Sequence, residues 1–168
     1  MTEHLTTQAM THYLLQCTQI TDLRRVLFVD QQHPNAVDYL STLTLIGLKE
    51  HFGQQCSPLF PAPWIYRDYD GDVSHLYGRG FGTTRLLDPD LRADNELSGA
   101  TAELRYQDFD TLVIGSISRN IELARELARY FAPDRSIWIH GEDTPPLASQ
   151  VRSYRTFGTH LFVRGIDV

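Results

Sequence analysis

The sequence lacks most of what would cross-link a chain, anchor it in a bilayer or hold it to a polyanion. It contains two cysteines, Cys17 and Cys56, far apart and in no CxxC pair. That argues against a disulfide framework and against a structural zinc site, and a reducing cytoplasmic setting is expected. No stretch approaches the roughly 18 apolar residues of a spanning helix, and the amino-terminal MTEHLTTQAMTHYLLQ has neither a basic leader nor a continuous apolar core. A soluble, unprocessed protein with no membrane partner is therefore expected. The net charge of -6 comes with no basic run, so a nucleic acid partner is not expected either. Internal repeats, low-complexity segments and interdomain linkers are also missing. A length of 168 residues suits one domain, which would bury roughly 70% of the surface the unfolded chain exposes.

What is present centres on residues 109–143, FDTLVIGSISRNIELARELARYFAPDRSIWIHGED. Residues 111–115 form a short apolar, β-branched run of the kind buried on both faces of a parallel sheet. Ser118 then reads as a helix N-cap, Ile121, Ala124, Leu127, Ala128 and Phe131 recur at helical spacing, and Pro133 ends the helix. Residues 136–140 supply a second strand. A right-handed βαβ unit delivers both strands' carboxyl ends to one edge, so Ser116, Ser118, Arg119, His140, Glu142 and Asp143 should meet there.

The rest of the chain extends this pattern. Leu5, Ala9, Tyr13, Cys17 and Ile20 share one face of a predicted amphipathic helix, set apart as residues 1–24, and residues 25–168 form the main α/β domain. Val26-Leu27-Phe28-Val29 is a strand ending in Asp30. A loop holds His33 and Asn35, and a long helix over 36–52 buries Val37, Leu40, Leu43, Leu45, Ile46, Leu48 and Phe52. The proline-flanked run at 56–60 is an edge strand. Residues 64–91 show no periodicity, which marks a long loop able to act as a lid; 93–107 form an imperfect helix, 147–153 another, and 159–164 a last strand. The expected fold is a single Rossmann-like, three-layer α/β domain with a mostly parallel sheet and an extra amino-terminal helix.

The succession VLFVD, DYLSTLTLIGLKEHFG, LYGRGF, FDTLVIGSISR and HGED resembles the amino-terminal, acceptor-side domain of bacterial glycosyltransferase-like proteins of the two-Rossmann-domain (GT-B) type, over roughly residues 25–165. The resemblance implies a Rossmann-like fold and a ligand of the sugar or nucleotide-sugar class. Transferases of that type carry a second, donor-binding domain, for which a chain closing at Val168 leaves no room. A donor-binding partner chain, or a second copy, is then the expected partner.

Three loops should form the site, each with a bland alternative. Ser116, Ser118 and Arg119 open a helix and can hold an anion through backbone N–H groups and a guanidinium fork, or simply cap and solvate. His140, Glu142 and Asp143 can deprotonate or hydrogen-bond a sugar hydroxyl, with Asp30 and His33 as a similar pair and Asn35 beside them, or can cap turns. No metal signature and no cofactor motif is present. Arg79 lies in Gly78-Arg79-Gly80-Phe81-Gly82, which is either a ligand loop or a surface turn docked on the body by Phe81. A stand-alone enzyme using His140 or His33 as base, and a flavodoxin-like or receiver-like signalling domain, are the competing functions. The latter lacks the phosphorylatable aspartate after the third strand.

Overall fold

The computed structural model describes residues 6–20, 22–31, 39–98 and 105–164. Its strands are β1 (Val26–Val29), β2 (Cys56–Pro58), β3 (Thr111–Ile114), β4 (Ser136–His140) and β5 (His160–Val163). Its helices are α1 (Thr7–Thr18), α2 (Tyr39–Phe52), α3 (Asp94–Ser98), α4 (Ile117–Leu127) and α5 (Ala148–Arg155). All strand pairings are parallel, and the order across the sheet is β2-β1-β3-β4-β5. No described helix is long and apolar enough to cross a membrane.

Strand alternation divides the core into two layers. Val26 and Phe28 of β1 pack with Leu14 of α1 and with Leu45, Ile46 and Leu48 of α2. Leu27 and Val29, pointing the other way, pack with Ile117, Ala124 and Leu127 of α4 and with Tyr154 of α5. Helices thus cover both faces, which is why VLFV, TLVI and SIWIH are apolar without a polar alternation. The result is the Rossmann-like α/β domain with an amino-terminal helix that the sequence predicts.

Two local expectations need correction. Helix α1 buries Thr11, Leu14 and Thr18, while Tyr13 and Cys17 are exposed. It packs on α2 at close range, where Gly47 meets Thr7 and Thr11; small side chains fit there better than Tyr13 would. Leu5 and Val37 lie outside the described residues. Helix α4 ends at Leu127, well before Pro133, and a turn carries Phe131 onto the sheet.

The long segment at 64–91 is fastened to the body. It contains short 3-10 turns at Pro63–Ile65, Tyr77–Gly80 and Pro89–Leu91, and a bridge joins Tyr66 to Leu87. Ile65, Tyr66 and Leu87 join the core around α2, which is consequently buried almost all round. Lys49, fully buried, donates to the Leu91 carbonyl at 3.2 Å and pairs with Glu96. Glu96 also accepts from the Tyr66 hydroxyl at 2.8 Å and from the Ala93 amide at 2.9 Å. Arg92 lies over the Tyr66 ring at 4.3 Å and grips Asp68 through two bonds of 2.7 and 2.5 Å.

Candidate functional site

From β1 the chain crosses through α2 to β2, and from β3 it crosses through α4 to β4, so the two halves of the sheet are wound in opposite directions. The reversal falls between the neighbours β1 and β3. In open α/β sheets the strand ends at such a switch point leave a crevice in which ligands bind. Asp30 ends one side of it. Gly115 and Ser116 end the other.

Asp30 is only 3% exposed, and a carboxylate taken out of water must be paired and hydrogen-bonded. Three side chains do this. Ser41 Oγ and Arg119 Nη2 donate to Asp30 Oδ2 at 2.6 and 2.8 Å, and Asn120 Nδ2 donates to Asp30 Oδ1 at 2.8 Å. Gly115 lets this cluster close, because a Cβ at that position would strike Ser41 Oγ and the Phe28 ring. Arg119 keeps 21% of its side chain in solvent, whereas that of Asp30 is fully buried.

The start of α4 is shaped by the same contacts. Asn120 Nδ2 reaches back to the Ser116 carbonyl at 2.7 Å, while its Oδ1 accepts from the Gln31 amide at 2.8 Å. A side chain bonded to the carbonyl four residues earlier competes with the helical ladder, and Asn120 sits at φ -113° and ψ 18°, off the helical conformation. The N-cap is Ser116 rather than Ser118, and its hydroxyl makes no capping bond. Instead Ser116 Oγ lies 3.3 Å from Ser118 Oγ, and Ser118 donates to Glu142. These serines tie the start of α4 to the end of β4, a tertiary demand that outweighs local capping.

The predicted residues thus separate. Asp30, Ser116, Ser118, Arg119 and Glu142 come together at one edge, with Glu142 exposed. Asp143 is exposed beside them and pairs with Arg164 at 2.8 Å. His140 is buried at 3%, its Nε2 is 3.0 Å from the Thr144 carbonyl, and its ring lies 6.2 Å from that of Tyr154. Facing a carbonyl, Nε2 carries the proton and donates, so His140 braces the 140–144 turn. Burial raises the pKa of the Tyr154 hydroxyl, and the charge of Glu142 adds to the shift. His33 and Asn35 lie outside the described residues. Arg79 stands on a separate tip, in which Phe81 is 84% exposed instead of docked on the body.

Sequence reading missed Ser41 and Asn120. Each is a polar residue within a helical run, and nothing in its spacing reveals that it faces Asp30. Three other concavities lie elsewhere among the described residues. One of about 110 Å³, lined in part by Arg25, Ser57 and Asp94, is smaller than ordinary ligand pockets of roughly 300 Å³ and above. A second, of about 400 Å³, lies between α1 and β5 and its lining has no carboxylate. A third, of about 490 Å³, is lined in part by Asp22, Asp134, Arg135 and His160, and Arg135 already pairs with Asp22.

The chain matches no family model, no curated protein and no solved structure. Asp30 pairs with Arg119, and the exposed Glu142 carboxylate stands at the same edge, so the edge is dense in donors and acceptors and carries no surplus of positive charge among the residues named. Such an edge suits hydroxyl groups better than a bare anion.

Proposed function

We propose that the protein binds a small polar ligand of the sugar or nucleotide-sugar class at the β1/β3 switch point, as an accessory module or as the acceptor half of a glycosyltransferase completed by a donor-binding partner. One observation carries this reading: the buried carboxylate network of Asp30, Ser41, Arg119 and Asn120 coincides with the point where the winding of the sheet reverses. Sugar hydroxyls would meet Ser118 and Glu142, beside the part of Arg119 that reaches solvent. The resemblance of HGED, FDTLVIGSISR and LYGRGF to acceptor-side domains supports the same ligand class.

The strand order favours one other reading, because flavodoxin-like and receiver-like domains share it. Against a receiver, β3 is followed by Gly115 and Ser116 where the phosphate-accepting aspartate would stand. A stand-alone enzyme with His140 as base has less support, since that ring is buried and engaged.

Thermal-shift measurements against free sugars, nucleotides and nucleotide sugars test the proposal. A ligand at a hundred times its Kd stabilises by about 2.7 kcal/mol, and Ser118→Ala should remove most of that gain. Failure of every class to stabilise the wild-type protein would overturn it.

A further inference from the structure

We infer that residues 77–82 are the ring-binding half of the crevice, with Phe81 as a stacking face and Arg79 as the cation for an attached phosphate, a reading that rests on the ligand class proposed above. The ligand chemistry is a ring carrying phosphate, as in a sugar phosphate or a nucleotide.

The tip is held firmly, yet it holds its most apolar side chain out. Gly78, Arg79, Gly80 and Gly82 all have positive φ, at 59°, 54°, 72° and 74°. For Arg79 that left-handed conformation is costly, and such backbone strain gathers at ligand clamps. The hydroxyls of Thr83 and Thr84 donate to the Gly80 carbonyl at 3.4 and 3.1 Å. The Tyr39 hydroxyl donates to the Phe81 carbonyl at 2.7 Å and fills the space a Cβ on Gly82 would need. These contacts fix the backbone and leave Phe81 84% exposed. A singly exposed aromatic is ordinary on a protein surface; what marks this one is the braced backbone with positive φ beneath it.

Its position gives the tip a purpose. Tyr39 opens α2, and Ser41, two residues on or about 3 Å along the helix axis, donates to Asp30 at the switch point. Both residues lie in the first turn of α2, so the tip stands at the carboxyl edge of the sheet, the edge that carries the crevice. Its cation is also uncommitted: among the described residues Arg79 has no carboxylate partner, whereas Arg92, Arg119, Arg135 and Arg164 each have one. Hydroxyls would go inward to Ser118 and Glu142. The ring and its phosphate would meet Phe81 and Arg79.

Isothermal titration of the full chain with glucose 1-phosphate, UDP and inorganic phosphate tests the inference in the wild type, Phe81→Ala, Arg79→Ala and Ser118→Ala. The wild type should bind at least one ring phosphate, and inorganic phosphate at least about tenfold more weakly. Stacking losses predict that Phe81→Ala weakens binding by about five- to a hundredfold, with the melting temperature unchanged because the side chain is exposed. Arg79→Ala should weaken it too. Tighter binding of UDP identifies the stacked ring as a base, and tighter binding of glucose 1-phosphate identifies it as a sugar. Unchanged affinity in Phe81→Ala overturns the inference, as does equal affinity for inorganic phosphate. If Ser118→Ala weakens binding and Phe81→Ala does not, the crevice stands without the tip; the reverse pattern removes the crevice and keeps the tip. If the wild type binds neither ring compound, both fail.

Discussion

Among the described residues two ion pairs have a carboxylate drawn out of water, and they are built for different ends. Lys49 and Glu96 lie beside Cys56, near the amino-terminal edge of the sheet, with side chains 0% and 3% exposed. Asp30 and Arg119 lie at the carboxyl edge, where the carboxylate is sealed and the guanidinium is 21% exposed. The first pair is closed by Tyr66, Ala93 and Leu91, and it pins the 64–98 segment to α2. The second is bonded by Ser41 and Asn120, and its guanidinium is partly in solvent at the edge that also carries Ser118 and Glu142. A sealed pair can only hold the fold, whereas an open one can also meet a ligand.

The comparison breaks most readily at Glu96. Glu96→Ala leaves the Lys49 ammonium buried and unpaired, so urea unfolding should show a loss of about 3–5 kcal/mol; a loss below about 1 kcal/mol would mean that the pair is not sealed. Cys56 reports the same point. Burial pushes its thiol up to about 12, so at pH 8 a thiol reagent should modify exposed Cys17 rapidly and Cys56 only as fast as the region opens. Glu96→Ala should hasten the slow phase and leave the fast one unchanged.

At the open edge a similar truncation should cost less. Arg119→Ala leaves Asp30 with Ser41 and Asn120 and admits water to its uncovered side, so a loss of about 1–3 kcal/mol is expected in urea. If it matches the loss in Glu96→Ala, the two edges are not distinct. Ser118→Ala should change stability by no more than about 0.5 kcal/mol while removing most of the ligand-induced thermal shift. Stability and binding then separate at one hydroxyl.

How far these differences can be read from sequence follows from what each residue faces. VLFV, TLVI and SIWIH are legible because strands buried on both faces run largely apolar instead of alternating, and helix-forming runs between them leave little choice but a doubly wound sheet. Asp30, Ser116 and Arg119 are legible as strand-end residues in that topology. Ser41, Asn120 and the Lys49–Glu96 pair are not, since their partners lie 11, 90 and 47 positions away, on other elements of the fold. A lysine in the last turn of α2 reads as an ordinary complement to the helix dipole. Ser118 is misread as a cap because its hydroxyl serves Glu142 instead. Phe81 is misread as docked because Tyr39 holds its carbonyl and leaves its ring outside.

The smallest expected effect concerns pH and the rim of the sealed region. The hydrogen bonds from Arg92 hold the Asp68 carboxyl below its ordinary value. A lowered folded value stabilises the protein above the unfolded carboxylate pKa of about 3.9. That contribution fades as the pH falls through the lowered folded value. Wild type and Asp68→Asn should therefore differ slightly in melting temperature at neutral pH and converge in acid, and a gap that widens in acid would reverse the assigned sign.

The open edge is tested most directly by an amide chemical-shift titration of the isotope-labelled wild-type protein with UDP-glucose. The account predicts saturable shifts concentrated at Gln31, Ser116, Ser118, Arg119 and Glu142, with Lys49, Cys56 and Glu96 unmoved. Shifts confined to the groove of Tyr13, Cys17 and Phe162, or none at millimolar ligand, would contradict it.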